Sequence, residues 1–472
     1  MRHPLLALLL LLPALASTGT PVARAVPPPT RPSIVLILTD DQRFDSLWAM
    51  PQTRRFVVGP GVKFQNGFVT DPLCCPSRAS ILTGAYPHTT GIYQNSPPHG
   101  GFADFNDTTT IATQLDAAGY RADLVGKYFN GYAKTSYVPP GWSRWTAFDG
   151  PGYVSAAYYN YLLNTDGNVR SVGHSHADYS TDLLADHAVS FINDTASWRP
   201  LFLYFAPFAP HEPAVSAPRD RNRFQHVKPY RPPSFNEKNV RDKPAYIRKL
   251  PRLSRDTIKK IDTFHQRQYR SLLAVDDAVK RIVDTLRATG RLSNTMIVFT
   301  SDNGISLGEH RWVDKKLNPY EESIRVPYAV RYDPLTQSAP NLPNLALNID
   351  LAPTFAALAG TTMPGAEGLS LLPILDGSML GDPSAWRRSF LIENSQAAPN
   401  QGPRVSVPAY CAARSEGYLF VEYDTGEREL YDLNRDPYEL QNVVHRTRYA
   451  NTAHRMAARA EQLCQPKPPG FP

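Results

Sequence analysis

The sequence predicts an α/β fold built on a large, mostly parallel sheet. Three observations carry that expectation. Residues 33–38, 120–125, 201–205 and 295–300 are short apolar runs of the kind that form strands buried on both faces. Helical patterns at 110–118, 181–191 and 266–289 alternate with them, and such alternation places helices on both faces of parallel strands. Finally, each of the four runs is followed directly by polar groups capable of chemistry. In open α/β sheets, ligands bind outside the carboxyl ends of the strands.

From the start of the chain, Met1-Arg2-His3 is a basic opening, and Leu5 to Leu12 is an apolar run ended by Pro13. Small-x-small sites follow at Ala14-Leu15-Ala16 and Ala23-Arg24-Ala25. Residues 1–25 read as a secretory signal, with cleavage after Ala16 or Ala25, and 26–32 as a Pro-rich linker. The run is short of the ~20 residues needed to span a bilayer. The expectation is an exported protein (extracellular, periplasmic or in a lysosome-like compartment) without stable membrane insertion. The 472 residues are 42% hydrophobic, which excludes a disordered chain, a coiled coil and a disulfide-stapled miniprotein. The 44 prolines imply long ordered loops.

The first strand ends in Asp40-Asp41, the second in Lys127, the third leads to His211, and the fourth to Asp302-Asn303. Asp40, Asp41, Asp302 and Asn303 are all oxygen donors, the ligand type of hard cations. Any one of them alone reads as a loop cap; their shared placement makes a Ca²⁺ or Mg²⁺ site credible. Cys74-Cys75-Pro76-Ser77-Arg78 opens a helical stretch. Pro76 suits a first helical turn, so Cys74 sits at a helix N-terminus that favours an anion, with Arg78 one turn in. Adjacent Cys74 and Cys75 would strain a mutual disulfide. Cys411 and Cys464 either pair or remain buried thiols. Residues 219–260 hold 14 Lys/Arg against 4 Asp/Glu in a chain of net charge +7. This segment reads either as a lure for an anionic substrate or as a solvated loop. No motif for nucleic acid accompanies it, and no nucleic-acid partner is expected. Near the C-terminus, 418–423 and 428–433 alternate like antiparallel strands around Asp424-Thr425-Gly426, and a last helix is expected at 450–463. Asn106 and Asn193 fit the glycosylation pattern.

Cys74-x-Pro76-Ser77-Arg78 with Thr83-Gly84 closely resembles the type I sulfatase signature. The resemblance extends through Asp40-Asp41-Gln42, Gly126-Lys127-Tyr128, Ala209-Pro210-His211, Ser301-Asp302-Asn303-Gly304 and Tyr431-Asp432-Leu433 with Asp436-Pro437. Pro139-Pro140-Gly141-Trp142, Tyr158-Tyr159-Asn160-Tyr161, residues 179–192 and the Cys-Cys form of the signature are similar to the N-acetylglucosamine-6-sulfatases. The resemblance implies an alkaline-phosphatase-like α/β sandwich, with a catalytic domain at about 31–375. A C-terminal subdomain at 376–472 would carry a small antiparallel sheet and a terminal helix. It implies hydrolysis of a sulfate ester, on a sulfated small molecule or glycan, through Cα-formylglycine made from Cys74 by a maturation enzyme. In the family the hydrated aldehyde attacks sulfur, and a covalent sulfo-enzyme is then resolved.

By the same resemblance, Asp40, Asp41, Asp302, Asn303 and residue 74 would hold Ca²⁺ in preference to Mg²⁺. Arg78 would steady the nucleophile, and Lys127, His211 and Lys316 would bind sulfate, His211 protonating the leaving oxygen. Lys316 is preferred to Lys315 because it stands four residues before Tyr320-Glu321. One departure matters. Where many sulfatases place a histidine two residues after the sulfate-binding lysine, this chain has Phe129. That leaves the base for sulfate release unassigned, with Asn130 and His88 as candidates. A formylglycine-dependent phosphonate or phosphodiester hydrolase shares the signature, and a non-catalytic binder of anionic glycans is a further, weaker reading.

Overall fold

The computed structural model describes residues 31–133, 136–150, 157–313, 316–336, 341–379, 385–395 and 406–471. The expected signal segment, the linker up to residue 30 and Lys315 lie outside them. Ten strands among these residues form the main sheet: β1 Ser33–Thr39, β2 Val62–Phe68, β3 Arg121–Gly126, β4 Arg144–Asp149, β5 Leu162–Thr165, β6 Asn168–Ser171, β7 Leu201–Ala206, β8 Thr295–Ser301, β9 Tyr328–Arg331 and β10 Asn341–Leu347. Their order is β10-β2-β9-β8-β1-β7-β3-β4-β5-β6. The centre, β8-β1-β7-β3-β4, is parallel. Antiparallel pairings flank it through β9 on one side and through β5 and β6 on the other.

Alternation along β1 divides two cores. Ile34, Leu36 and Leu38 pack on one face with Ala79, Ile81 and Leu82 of the helix Cys74–Thr83 and with Phe355 of the helix Leu351–Leu358. Val35 and Ile37 pack on the other with Leu184 and Ala188 of Ser180–Asp194 and Leu272, Val275 and Val279 of Arg255–Ala288. Every residue of β1 is buried, so each large side chain there contributes about 1.5–3 kcal/mol.

The helix Arg255–Ala288 begins earlier than the expected 266. Ser254 caps it, accepting from Thr257 N at 3.1 Å. Its first turns carry apolar residues at Ile258, Ile261 and Phe264, a spacing that continues the helical pattern upstream, but these are only half-buried and full burial starts at His265. The basic segment is also less open than its composition suggests. Arg231 pairs with Asp262 at 2.6 Å, Arg248 with Glu427 at 3.0 Å, and Lys243 is buried. Part of its positive charge, at Arg219, Arg231, Lys243 and Arg248, is thus turned onto acidic partners.

A second sheet, β11 Ser389–Asn394, β12 Tyr410–Ser415, β13 Tyr418–Tyr423 and β14 Arg428–Asp432, is antiparallel in sequential order. One of its faces shares a core with the main sheet: Phe68, Leu345 and Leu347 meet Phe390, Tyr410, Val421 and Tyr431 around Trp312 and Tyr320. The helix Ala450–Leu463 covers the other face through Met456 and Ala460. Cys411 and Cys464 form a disulfide between β12 and the end of that helix.

Candidate active site

The register of β1 on β8 pairs Thr39 with Ser301, so Asp40-Asp41 and Asp302-Asn303 leave the sheet side by side. Asp302 N donates to Thr39 O at 3.0 Å, Asp41 N to Asp302 Oδ1 at 3.1 Å, and Asn303 Nδ2 to Asp41 Oδ1 at 2.6 Å. Asp41 is left-handed (φ 64°), a conformation Asp adopts more readily than most residues. Lys127 follows β3 at a glycine that no other residue can replace. Gly126 has φ 124°, and a Cβ there would lie 2.0 Å from Ala206 O. The turn aims Lys127 Nζ at Asp40 Oδ2, 2.5 Å away.

Cys74 is the first residue of its helix, and Arg78 lies one turn further on the same face. Arg78 Nη2 is 2.8 Å from Asp302 Oδ2 and 3.7 Å from Asp40 Oδ2, while its Nη1 donates to Lys127 O at 2.8 Å. Lys316 Nζ is 2.6 Å from Asp41 Oδ1 and donates to Cys74 Sγ at 3.0 Å. His211 Nε2 is 3.6 Å from Asp41 Oδ2, and its Nδ1 lies 2.8 Å from Glu212 O. The carbonyl is an acceptor, so Nδ1 carries the proton and Nε2 presents its lone pair to the site. All nine residues singled out from the sequence therefore converge on one place.

The two candidates for a base do not join them in that way. His88 is held by Glu393 at 2.7 Å and Glu367 at 3.3 Å. Burial lowers its pKa, but the two carboxylates outweigh that and carry it up to about 9. A charged imidazole is no base at neutral pH, so His88 is set aside. Asn130 offers its backbone N–H to Cys75 Sγ at 3.3 Å. Phe129 stacks on Phe105, with ring centroids 4.3 Å apart, inside the aromatic core; its side chain points away from the carboxylates. Sequence reading missed Asn95, whose Oδ1 accepts from Cys75 N at 2.9 Å. It also missed Asp71, a buried acid three residues before Cys74 with no partner for either oxygen among the described residues. An acid beside Pro72, directly upstream of the signature, was the available signal.

The electrostatics follow from burial among opposed charges. Burial pushes the Cys74 thiol up to about 11, against the pull of Lys127 and Lys316. Unmodified, it is a protonated and weak nucleophile at neutral pH. Burial pushes His211 down to about 3, with Lys316 and Lys127 adding to it against Asp41. Burial would raise Asp41, but Lys316, His211 and Lys127 hold it well below the usual carboxylate range. Burial and the charge of Asp40 lift Asp302 to about 6 despite Arg78. The oxygens of Asp40, Asp41, Asp302 and Asn303 are the donor type of a hard divalent cation. Asp40, Asp41, Cys74 and His211 each bring a ligand atom within 4.8 Å of the others. Asn303 Oδ1 is buried without a hydrogen-bond partner among the described residues, an oxygen left over for a cation.

A family model described as Sulfatase matches residues 32–361, and one described as N-sulphoglucosamine sulphohydrolase, C-terminal, matches 308–466. The chain belongs to the sulfatase family. Its members are sulfuric ester hydrolases, and this sulfatase is 32% identical over 457 residues to human N-acetylglucosamine-6-sulfatase, covering 88% of this chain and 81% of the relative. It is 36% identical over 376 residues to the Drosophila melanogaster extracellular sulfatase SULF-1 homolog, covering 77% of this chain. The matched region spans only 33% of that longer relative. A solved structure described as a complex with its substrate D-glucosamine-2-N,6-O-disulfate superposes with a TM-score of 0.79 at 25% identity, covering 92% of this chain and 97% of the other.

Proposed function

We propose that this sulfatase removes the 6-O-sulfate of a glucosamine or N-acetylglucosamine residue, through a Cα-formylglycine made from Cys74 and with Ca²⁺ at Asp40, Asp41, Asp302 and Asn303. The observation that carries the reading is the convergence of Arg78, Lys127, His211 and Lys316 on Cys74 and the aspartates. Three carboxylates there face three cations. A divalent ion would add positive charge, which an anionic ester offsets. Bound, it would draw charge from the sulfate oxygens and acidify the hydrated aldehyde. That aldehyde offers two hydroxyls, one for sulfur and one for the release of sulfate.

The remaining roles belong to the chain's own side chains. Arg78 holds residue 74 and offsets negative charge with a two-pronged guanidinium. Lys127 and Lys316 meet sulfate oxygens as point charges in a site where water screens little. In the empty site His211 Nε2 is a lone pair. The negative charge of a bound ester favours its protonation, so Nε2 would take up a proton as substrate binds, give it to the departing alcohol oxygen, and regain a lone pair that can accept one in the second step. One imidazole used twice removes the need for a histidine at position 129. Next to Glu212, a cleft of about 570 Å³ carries Lys259, Lys260 and Arg267 against Glu212 and Asp256; its one net positive charge suits the rest of an anionic glycan.

Cys74 and Arg78 are almost wholly buried, so the maturation enzyme must meet this segment before the fold closes. Export is in keeping with the disulfide, and among the described residues no helix is long and apolar enough to cross a membrane.

The test begins with the tryptic peptide 64–78 from protein made in its native host. Its mass should show the sulfur of residue 74 replaced by an aldehyde oxygen, and the protein should release sulfate from N-acetylglucosamine 6-sulfate faster than it cleaves an aryl phosphonate. Two intact thiols in exported, active protein would refute the formylglycine. Faster phosphonate cleavage would transfer the assignment to the phosphonate hydrolases.

A further inference from the structure

Behind the active-site loop lies a second convergence of ligand-type atoms that shares no residue with the first. His310, Glu322 and Glu439 each bring one ligand atom within 4.8 Å of the others, and all three are buried. His310 Nε2, Glu322 Oε2 and Glu439 Oε1 have no hydrogen-bond partner among the described residues. Unpaired buried polar atoms are costly, and one on each member of a single cluster calls for a shared ligand.

The nearby cations are engaged elsewhere. Arg43 pairs with Glu309 at 3.1 Å, and Arg414 with Glu321 at 2.7 Å. Lys243 Nζ donates to the backbone carbonyl of Glu439 at 2.5 Å and lies 4.0 Å from Glu237. Glu322 and Glu439 are therefore left as buried acids in carboxylate-rich surroundings. Burial and Glu309 push Glu322 up to about 8, and burial with Glu322 raises Glu439.

The histidine is set up as a ligand. Its Nδ1 lies 2.7 Å from Glu237 Oε2, which places the proton on Nδ1 and leaves the Nε2 lone pair without a hydrogen bond among the described residues. A carboxylate behind a histidine in this way is the usual support of a metal-bound imidazole. The backbone is bent to suit: His310 and Glu439 both have positive φ, 50° and 54°, at a cost of about 1–2 kcal/mol each.

We propose that His310, Glu322 and Glu439 form a second, structural divalent-metal site of the Zn²⁺ type, which clamps the loop bearing Lys316 to the C-terminal subdomain. An imidazole with two carboxylates favours zinc over calcium. Zn–N and Zn–O bonds of about 2.0–2.2 Å ask the three side chains to draw in by on the order of 1 Å. His310 stands six residues before Lys316 and Glu322 six after it, so the ion would hold both ends of that loop.

The experiment uses the full chain, stripped with EDTA, saturated with Ca²⁺ and titrated with ZnCl₂ against a chromophoric chelator. X-ray absorption at the zinc edge is then recorded on the wild type. One retained equivalent of zinc with an imidazole and carboxylate oxygens in its shell is the expected result. H310Q and E439Q should weaken binding at least about 100-fold, E237Q about 10–100-fold, and D40N not at all. Zinc binding unaltered in H310Q and E439Q, or a wild-type spectrum without imidazole, would overturn the proposal, and the second readout stands even where a variant fails to fold. So would a chain that takes up no zinc and shows a protonated-carboxyl infrared band that E439Q abolishes; the pair would then share a proton instead.

Discussion

Two buried acidic clusters lie within this fold, and they handle their charge in opposite ways. At the strand ends each carboxylate has its own cation: Lys127 on Asp40, Lys316 on Asp41 and Arg78 on Asp302. Around His310 the arginines Arg43 and Arg414 pair directly with Glu309 and Glu321, and act on Glu322 and Glu439 only from a distance. The first cluster is balanced before anything binds, so it can accept a cation and an anionic ester together. The second is short of positive charge and can be completed only by a cation or by protons. Burial alone does not distinguish them; the placement of arginine and lysine does.

The largest effect expected from breaking the balance is at Arg78. Arg78→Ala should lower kcat/KM for a sulfate ester by about 1,000-fold, because the guanidinium contacts both Asp302 and the turn at Lys127. Arg78→Lys should recover little, having charge without the fork. Thermal unfolding separates the clusters next. Asp302→Asn leaves Arg78 with only the distant Asp40, and should destabilise the protein by about 3 kcal/mol. Glu439→Gln in EDTA keeps an acceptor for Glu321 N at 3.2 Å and removes one of two facing buried acids, so it should stabilise the protein by about 1 kcal/mol. A Tm that falls in both variants would erase the distinction.

A pH series sharpens it. Glu322 binds its proton more tightly folded than unfolded, so its contribution to stability is present at low pH. That contribution is lost as pH rises from about 4.5 through about 8. Zinc should flatten this decline in wild type and leave it in H310Q. The smallest effect belongs to His88. Its pKa of about 9 means that its stabilisation is full below about 6.5 and is lost as pH climbs through 9. His88→Gln should remove a Tm decrease of about 1–3 °C between pH 7 and 10.

Much of the first cluster was legible in the sequence, because its residues follow buried strands directly and a strand announces itself by local composition. Asp40, Lys127 and Asp302 needed only the rule that parallel strands present their carboxyl ends together. The strands β2, β9 and β10 were not legible: VKFQNGF and NLPNLAL carry polar residues and a proline, and YAVR has four residues. Their pairing is decided by neighbours far along the chain. The second cluster was hidden for the same reason. Glu439 lies 117 residues beyond Glu322, in a loop with no pattern, and the core shared by the two sheets is what joins them. At position 129 the sequence offers only a phenylalanine, and the structure stacks it on Phe105 in the aromatic core.

The core that the two sheets share also has a consequence in time. Tyr410, Val421 and Tyr431 complete the packing around Trp312 and Tyr320, so the ribosome must synthesise more than 300 residues after Cys74 before that core can close. At about 5–20 residues per second, that interval is on the order of tens of seconds. During it the core around Trp312 and Tyr320 is incomplete, and the maturation enzyme proposed above would meet residue 74 in a chain still being made. Slowing elongation between codons 84 and 431 should therefore raise the converted fraction, while faster synthesis should bury more unconverted thiol.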